Sequence, residues 1–168
     1  GTSTAGLCVA GGVPAPIADV EEWNGSSWTE IANINTSRNN GGTMGVIVTA
    51  GVYAGGPPNR TETELWNGTA WTEVNNLNTG RTGIKGFGSS TSGLLGGGDP
   101  FTAKTEIWDG TSWAEGDDYA TAAAQRSSGN GASSVSGLQA GGQVSGNNAS
   151  TATEEWDFAH PLKTIDVS

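Results

Sequence analysis

Four glutamates, Glu21, Glu64, Glu106 and Glu154, each stand two residues ahead of a tryptophan. Paired carboxylates are the usual acid and base of hydrolytic sites, so these are the first groups to test for catalysis. They return, however, with the same neighbours each time. Glu21-Glu22-Trp23-Asn24-Gly25-Ser26-Ser27-Trp28-Thr29-Glu30 recurs as Thr63-Glu64-Leu65-Trp66-Asn67-Gly68-Thr69-Ala70-Trp71-Thr72-Glu73 and as Thr105-Glu106-Ile107-Trp108-Asp109-Gly110-Thr111-Ser112-Trp113-Ala114-Glu115, with a shortened copy at Glu154-Glu155-Trp156-Asp157. A general acid and base form one unequal pair at one place, so a carboxylate present in every copy is assigned to the scaffold. The single histidine, His160, lies beside Pro161, and the single cysteine, Cys8, lies in the apolar run Gly6-Leu7-Cys8-Val9-Ala10 and is expected to be a small buried hydrophobe. One His and one Cys support neither a His-based zinc site nor a Cys–His dyad. Asp117-Asp118, with Asp109 and Glu115 nearby, lacks the spacing of an EF-hand. The chain is therefore expected to be no enzyme, with no catalytic residue, metal or cofactor.

The elements that carry these residues can be read from the period. The first tryptophans of the copies fall at 23, 66, 108 and 156, steps of 43, 42 and 48 residues, which marks stacked supersecondary units. Each unit opens with a small-residue apolar strand that ends in a glycine pair: Leu7 to Gly12, Ala50 to Gly56, Ser92 to Gly98 and Val135 to Gly142. A loop of varying length follows, then a strand ending in Glu-x-Trp, a tight turn, and a strand opening on the second Trp. A link such as Asn33-Ile34-Asn35-Thr36-Ser37 leads past Arg38, Arg81 or Arg126 into a further strand. No helical period occurs. Asn24-Gly25, Asn67-Gly68 and Asp109-Gly110 are favoured pairs of type I′ hairpins. Either a two-residue or a four-residue turn puts Glu21, Trp23 and Trp28 on one face, and likewise Glu64, Trp66, Trp71 and Glu106, Trp108, Trp113. These tryptophans and Trp156 are assigned to packing between units. A glutamate on that face needs a cation, and Arg38, Arg81 and Arg126 are the expected partners. The first unit lacks its first strand, and the fourth loses the Asn-Gly turn and the second Trp. Fifteen strands are thus expected, in units of about 1–37, 38–80, 81–125 and 126–168 within a single 1–168 module whose first sheet has an open edge.

Val, Ile, Leu and Phe make up about a sixth of the 168 residues and the net charge is -10, a balance that alone would point to disorder. Seven tryptophans at fixed spacing argue for order instead. Seventeen carboxylates against seven Lys and Arg disfavour nucleic acid and anionic membrane surfaces as partners. No apolar stretch reaches the roughly 18 residues of a membrane span, and no charged segment leads into an apolar one as in a signal peptide.

Small four-stranded sheets repeating at this interval suit a β-propeller. The glycine pairs Gly11-Gly12, Gly55-Gly56, Gly96-Gly97 and Gly141-Gly142, followed by Glu-x-Trp and a downstream Trp, resemble the kelch repeat over nearly the whole chain. Positions 23, 66, 108 and 156 carry Trp where kelch repeats usually have Tyr. The resemblance implies an all-β, kelch-like β-propeller built from four repeats of roughly 42–48 residues, the first blade lacking a strand. Galactose oxidase-like members need Tyr and His copper ligands, and this chain has only Tyr53, Tyr119 and one His. The Asn-, Gly- and Thr-rich wording is also similar to kelch-like repeats in structural proteins of environmental, often marine, bacteriophages. That resemblance implies a non-enzymatic virion structural or appendage protein, a fibre, spike or decoration module, acting in assembly and host-surface attachment. It would be located in the virion or extracellularly, as a homo-oligomer or docked to other virion proteins. The alternative is a carbohydrate-binding adhesin or lectin-like module with a cell-surface glycan as partner. Because loops on a rigid scaffold usually carry function, the unrepeated loops after the glycine pairs supply the ligand-contact candidates Arg60, Phe101, Lys104 and Asn147.

Overall fold

A computed structural model describes residues 2–12, 14–128, 131–146, 148–157 and 160–164. The expected contact Asn147 lies outside the described residues. The architecture is all-β and antiparallel, in four successive sheets. The first holds β1 (Gly6–Gly11), β2 (Ile17–Trp23) and β3 (Trp28–Glu30), in that order. The second holds β4 (Gly42–Ile47), β5 (Ala50–Ala54), β6 (Thr63–Trp66) and β7 (Trp71–Val74). The third runs from β8 (Lys85–Gly88) through β9 (Gly93–Gly96) and β10 (Thr105–Trp108) to β11 (Trp113–Glu115). In the fourth, β12 (Ser127–Ser128) and β13 (Ser136–Ala140) precede β16 (Thr153–Asp157) and β17 (His160–Thr164), and between them β14 (Gln143–Val144) and β15 (Asn148–Ala149) form a separate two-stranded ribbon. That ribbon replaces the irregular loop expected after Gly142.

The hairpin turns depart from the type I′ expectation. Trp23 pairs with Trp28, Trp66 with Trp71 and Trp108 with Trp113, so each turn spans four residues. Only the glycine is left-handed, with φ of 93° at Gly25, 91° at Gly68 and 97° at Gly110. The preceding Asn or Asp instead caps the turn with its side chain. Asn67 Oδ1 accepts from the Thr69 and Ala70 amides at 2.9 Å each, and Asp109 Oδ1 from Thr111 and Ser112 at 2.8 and 2.7 Å. An Asx cap serves a longer turn as well as αL geometry serves a short one. The paired indoles then lie 5.1–5.5 Å apart, tilted against each other.

The strand-ending left-handed pairs are also displaced from the written Gly-Gly pairs. The φ pattern of Gly55 and Gly56 (72° and 122°) recurs at Gly97 and Gly98 (68° and 122°), one residue beyond the expected Gly96-Gly97, and at Gly141 and Gly142 (65° and 100°). In the first sheet Ala10 and Gly11 occupy these positions, at 57° and 130°. Strand pairing confirms the alignment: Gly6, Gly51, Gly93 and Gly137 lie opposite Trp23, Trp66, Trp108 and Trp156.

Side-chain alternation gives every sheet two unlike faces. One carries Glu and the tryptophans; the other carries small aliphatics such as Val52, Leu65 and Val74. The aliphatic face of each sheet packs on the Trp face of the next. Leu7, Val9 and Val20 meet Tyr53, Trp66 and Trp71; Val52, Leu65 and Leu77 meet Leu95, Trp108 and Trp113; Leu94, Ile107 and Phe87 meet Tyr119 and Trp156. The inner strands gather on one side, with β8 touching β4 and also β12 and β13.

Candidate functional site

At each of the last three Glu-x-Trp positions the glutamate is buried in an ion pair. Arg38 Nη1 stands 2.8 Å from Glu64 Oε1, a close ion pair without hydrogen-bond alignment. Arg81 Nη2 and Arg126 Nη2 each donate at 2.9 Å, to Glu106 and Glu154 Oε1. The second carboxylate oxygen is taken by the link between units. The amide and side-chain Nδ2 of Asn35 donate to Glu64 Oε2 at 2.7 and 2.8 Å, and Asn35 Nδ2 also reaches the Trp71 carbonyl at 3.2 Å. Asn78 repeats the arrangement on Glu106 and Trp113, while in the fourth unit Ala120 supplies only its amide, to Glu154. These asparagines were missed as structural residues; the recurring Asn-Thr-x-Arg at Asn35–Arg38 and Asn78–Arg81 was the available signal.

Arg126 does not occupy the position of Arg38 and Arg81. Gly11, Gly56 and Gly98 donate to the carbonyls of Arg38, Arg81 and Ala123, so Ala123 is their counterpart and Arg126 comes three residues later. Its guanidinium crosses over Tyr119 at 4.9 Å to reach the same carboxylate, as Arg38 crosses over Tyr53 at 4.9 Å. Burial is the main cause that pushes the hydroxyls of Tyr53 and Tyr119 above the ordinary tyrosine range.

The first sheet breaks the pattern. Glu21 is exposed and makes no ion pair or side-chain hydrogen bond among the described residues, contrary to the expected buried pairing. Trp28 is 50% exposed, whereas its counterparts Trp71 and Trp113 are 6% exposed. Cys8, expected inside, is exposed, because it holds the place of Tyr53 on a face that no preceding sheet covers. A groove of about 850 Å³ runs beside β1 and across the inner strands β4 and β8. Val46 and Ile47 are exposed nearby, and at the far end of the stack Leu138 and Val135 are exposed on the free aliphatic side of the fourth sheet.

The loop candidates fall in separate surroundings. Arg60 is half-buried, donating to Glu62 at 2.7 Å and to the Pro57 carbonyl at 3.2 Å. The Glu62 carboxyl is held below its ordinary value first by its own backbone amide and then by Arg60. Lys104 reaches exposed Asp118 at 3.2 Å, and Phe101 is half-buried on the same loop. Arg81 joins the two loops, its amide donating to the Arg60 carbonyl at 3.1 Å and its Nη1 to the Lys104 carbonyl at 2.8 Å. Among the described residues no group of three or more His, Cys, Asp or Glu could hold a metal ion.

Antiparallel sheets stacked Trp face to aliphatic face, with inner strands gathered, define a β-propeller-like all-β protein. No family model and no curated protein matches the chain. Among solved structures it is similar to one titled "Structure of YjhT", with a TM-score of 0.73 at 14% identity, covering 89% of this chain and 52% of that one. The chain thus spans about half the length of that neighbour, and the likeness concerns the fold alone.

Proposed function

We propose that this chain is a kelch-type propeller module of four repeats that works as a non-enzymatic assembly piece of a virus-particle appendage. The observation that carries this is the uncovered Trp face of the first sheet. Trp28 keeps half of its surface in water where two equivalent tryptophans are nearly closed off. At the other end Leu138 faces outward from the position at which Val52 and Leu94 pack on the next sheet. A module with a Trp face at one end and an aliphatic face at the other is suited to head-to-tail contact, which closes rings or extends filaments. The repeated acids and arginines are spent on internal pairing, which favours a scaffold over a catalyst. Light scattering across a concentration series tests the role: masses above 17.0 kDa that fall towards the monomer in Trp28→Glu support it, and a fixed 17.0 kDa in both proteins contradicts self-assembly.

Host attachment through the loops is the second part of the proposal. Phe101 offers a partly exposed ring on the loop that also bears the exposed Lys104–Asp118 pair, and an aromatic with polar neighbours suits a sugar. A glycan array checks this, with binding lost in Phe101→Ala as the expected result and no binding by either protein as the contrary one.

A further inference from the structure

We infer that the free edge of β1 is a binding site for one extended peptide strand of a partner molecule, glycine-containing and led by an arginine; this names the partner chemistry of the assembly role above and rests on it. The edge is defined by comparison within the molecule. β5 and β9, the counterparts of β1, are flanked on their inner side by β4 and β8, whereas β1 pairs with β2 alone. An unpaired edge presents a row of backbone donors and acceptors that an extended peptide can complete, with pockets for alternate side chains setting its sequence. Here the pocket is the groove beside β1, lined by Leu7, Cys8 and Val9 on one side and by Thr43, Met44 and Phe87 on the other.

Charge sets the occupant's leading residue. Glu64 and Glu106 are each met by an arginine four residues ahead of the inner strand, Arg38 before Gly42 and Arg81 before Lys85. Glu21 holds the same position in the first sheet and has no cation among the described residues. Sterics set the glycine. A Cβ on Gly42 would lie 2.5 Å from Leu95 Cδ2, and one on Gly86 2.2 Å from the same atom, so inner strands run where there is no room for side chains on one side. In a second copy of this chain, β4, β8 and β12 are already paired in their own sheets, so the occupant is a free segment of a different molecule.

The repeats also fix the register. Thr43 pairs with Tyr53 and Gly86 with Leu95, both counterparts of Cys8, so the fifth residue after the occupant's arginine faces Cys8. Directly opposed cross-strand residues bring their Cβ atoms to about 4.5–5.5 Å, close enough for disulfide trapping after a small adjustment. The probe is a synthetic peptide with the sequence of residues 38–47, added to the intact chain in a glutathione redox buffer and read by mass spectrometry. Peptides carrying Thr43→Cys, Gly42→Cys or Met44→Cys are compared. The Thr43→Cys peptide is expected to couple to Cys8 about tenfold more than the other two. Arg38→Ala in that peptide, or Glu21→Gln in the chain, is expected to lower coupling about tenfold, the scale of a hydrogen bond to a charged group. Equal coupling of all three peptides, or no coupling while Cys8 still reacts with a small thiol reagent, overturns the site. If the chain self-associates but register-specific coupling fails, the strand site is wrong and the assembly role stands. If coupling is register-specific in a chain that stays at 17.0 kDa, the strand site stands and self-assembly does not.

Discussion

The glutamate two residues before each first tryptophan shows how one residue type takes two physical roles. Glu106 is 1% exposed and its charge is met by Arg81 and by the Asn78 and Thr79 amides. Removing its charge leaves a buried guanidinium without its counter-ion, so Glu106→Gln should cost about 3–5 kcal/mol of unfolding free energy in urea melts. Glu21→Gln, at an exposed position, should change the same measurement by no more than about 0.5 kcal/mol. Asp109 gives a residue-scale prediction in pH. The Ser112 and Thr111 amides hold its carboxyl below the ordinary value of 3.8. A depressed folded value means that its contribution is present above the unfolded value and lost as pH falls through the folded one. An NMR titration of the Thr111 and Ser112 amide shifts should therefore give a midpoint below 3.8, and a midpoint at or above it would show that the turn does not stabilise the carboxylate. The shared face of Glu and Trp was legible from the spacing, because strand alternation is indifferent to the turn length. The exposure of Cys8 was not, because its burial depends on whether another sheet covers that face.

At the scale of the strands, one interface hydrogen bond shows what the repeats have and have not kept. Trp113 Nε1 donates to Thr63 Oγ1 in the preceding sheet at 3.1 Å. Val20 occupies the place of Thr63 in the first sheet, and the buried Trp71 Nε1 has no hydrogen-bond partner among the described residues. Thr63→Val should therefore destabilise the chain by about 1–2 kcal/mol, while Val20→Thr, a change that normally harms a core, should be neutral or stabilise by up to about 1 kcal/mol. Thermal melts of the two variants check this, and a loss in Val20→Thr equal to that in Thr63→Val would contradict the equivalence. Element boundaries were legible where each repeat is complete. They failed where the spacing shifts: the left-handed pair sits one residue later in the third sheet, and the fourth link reaches its glutamate from Arg126 instead of position 123. Both shifts keep the buried contacts while moving the residues that make them, so a sequence period alone cannot find them.

Across the whole molecule, three interfaces are closed by Trp-on-aliphatic packing, and the two end faces remain open. The central claim is that the first sheet, with its uncovered tryptophan face and free β1 edge, is where this module assembles. Hydrogen exchange along β1, β5 and β9 at low and high protein concentration tests it most directly. Dilute protein should exchange β1 amides at least tenfold faster than those of β5 and β9, whose strands are paired on both sides, and β1 should slow as concentration rises. Protection of β1 equal to that of β5 and β9 at the lowest concentration would contradict the account, because it would mean that the chain closes its first sheet on itself.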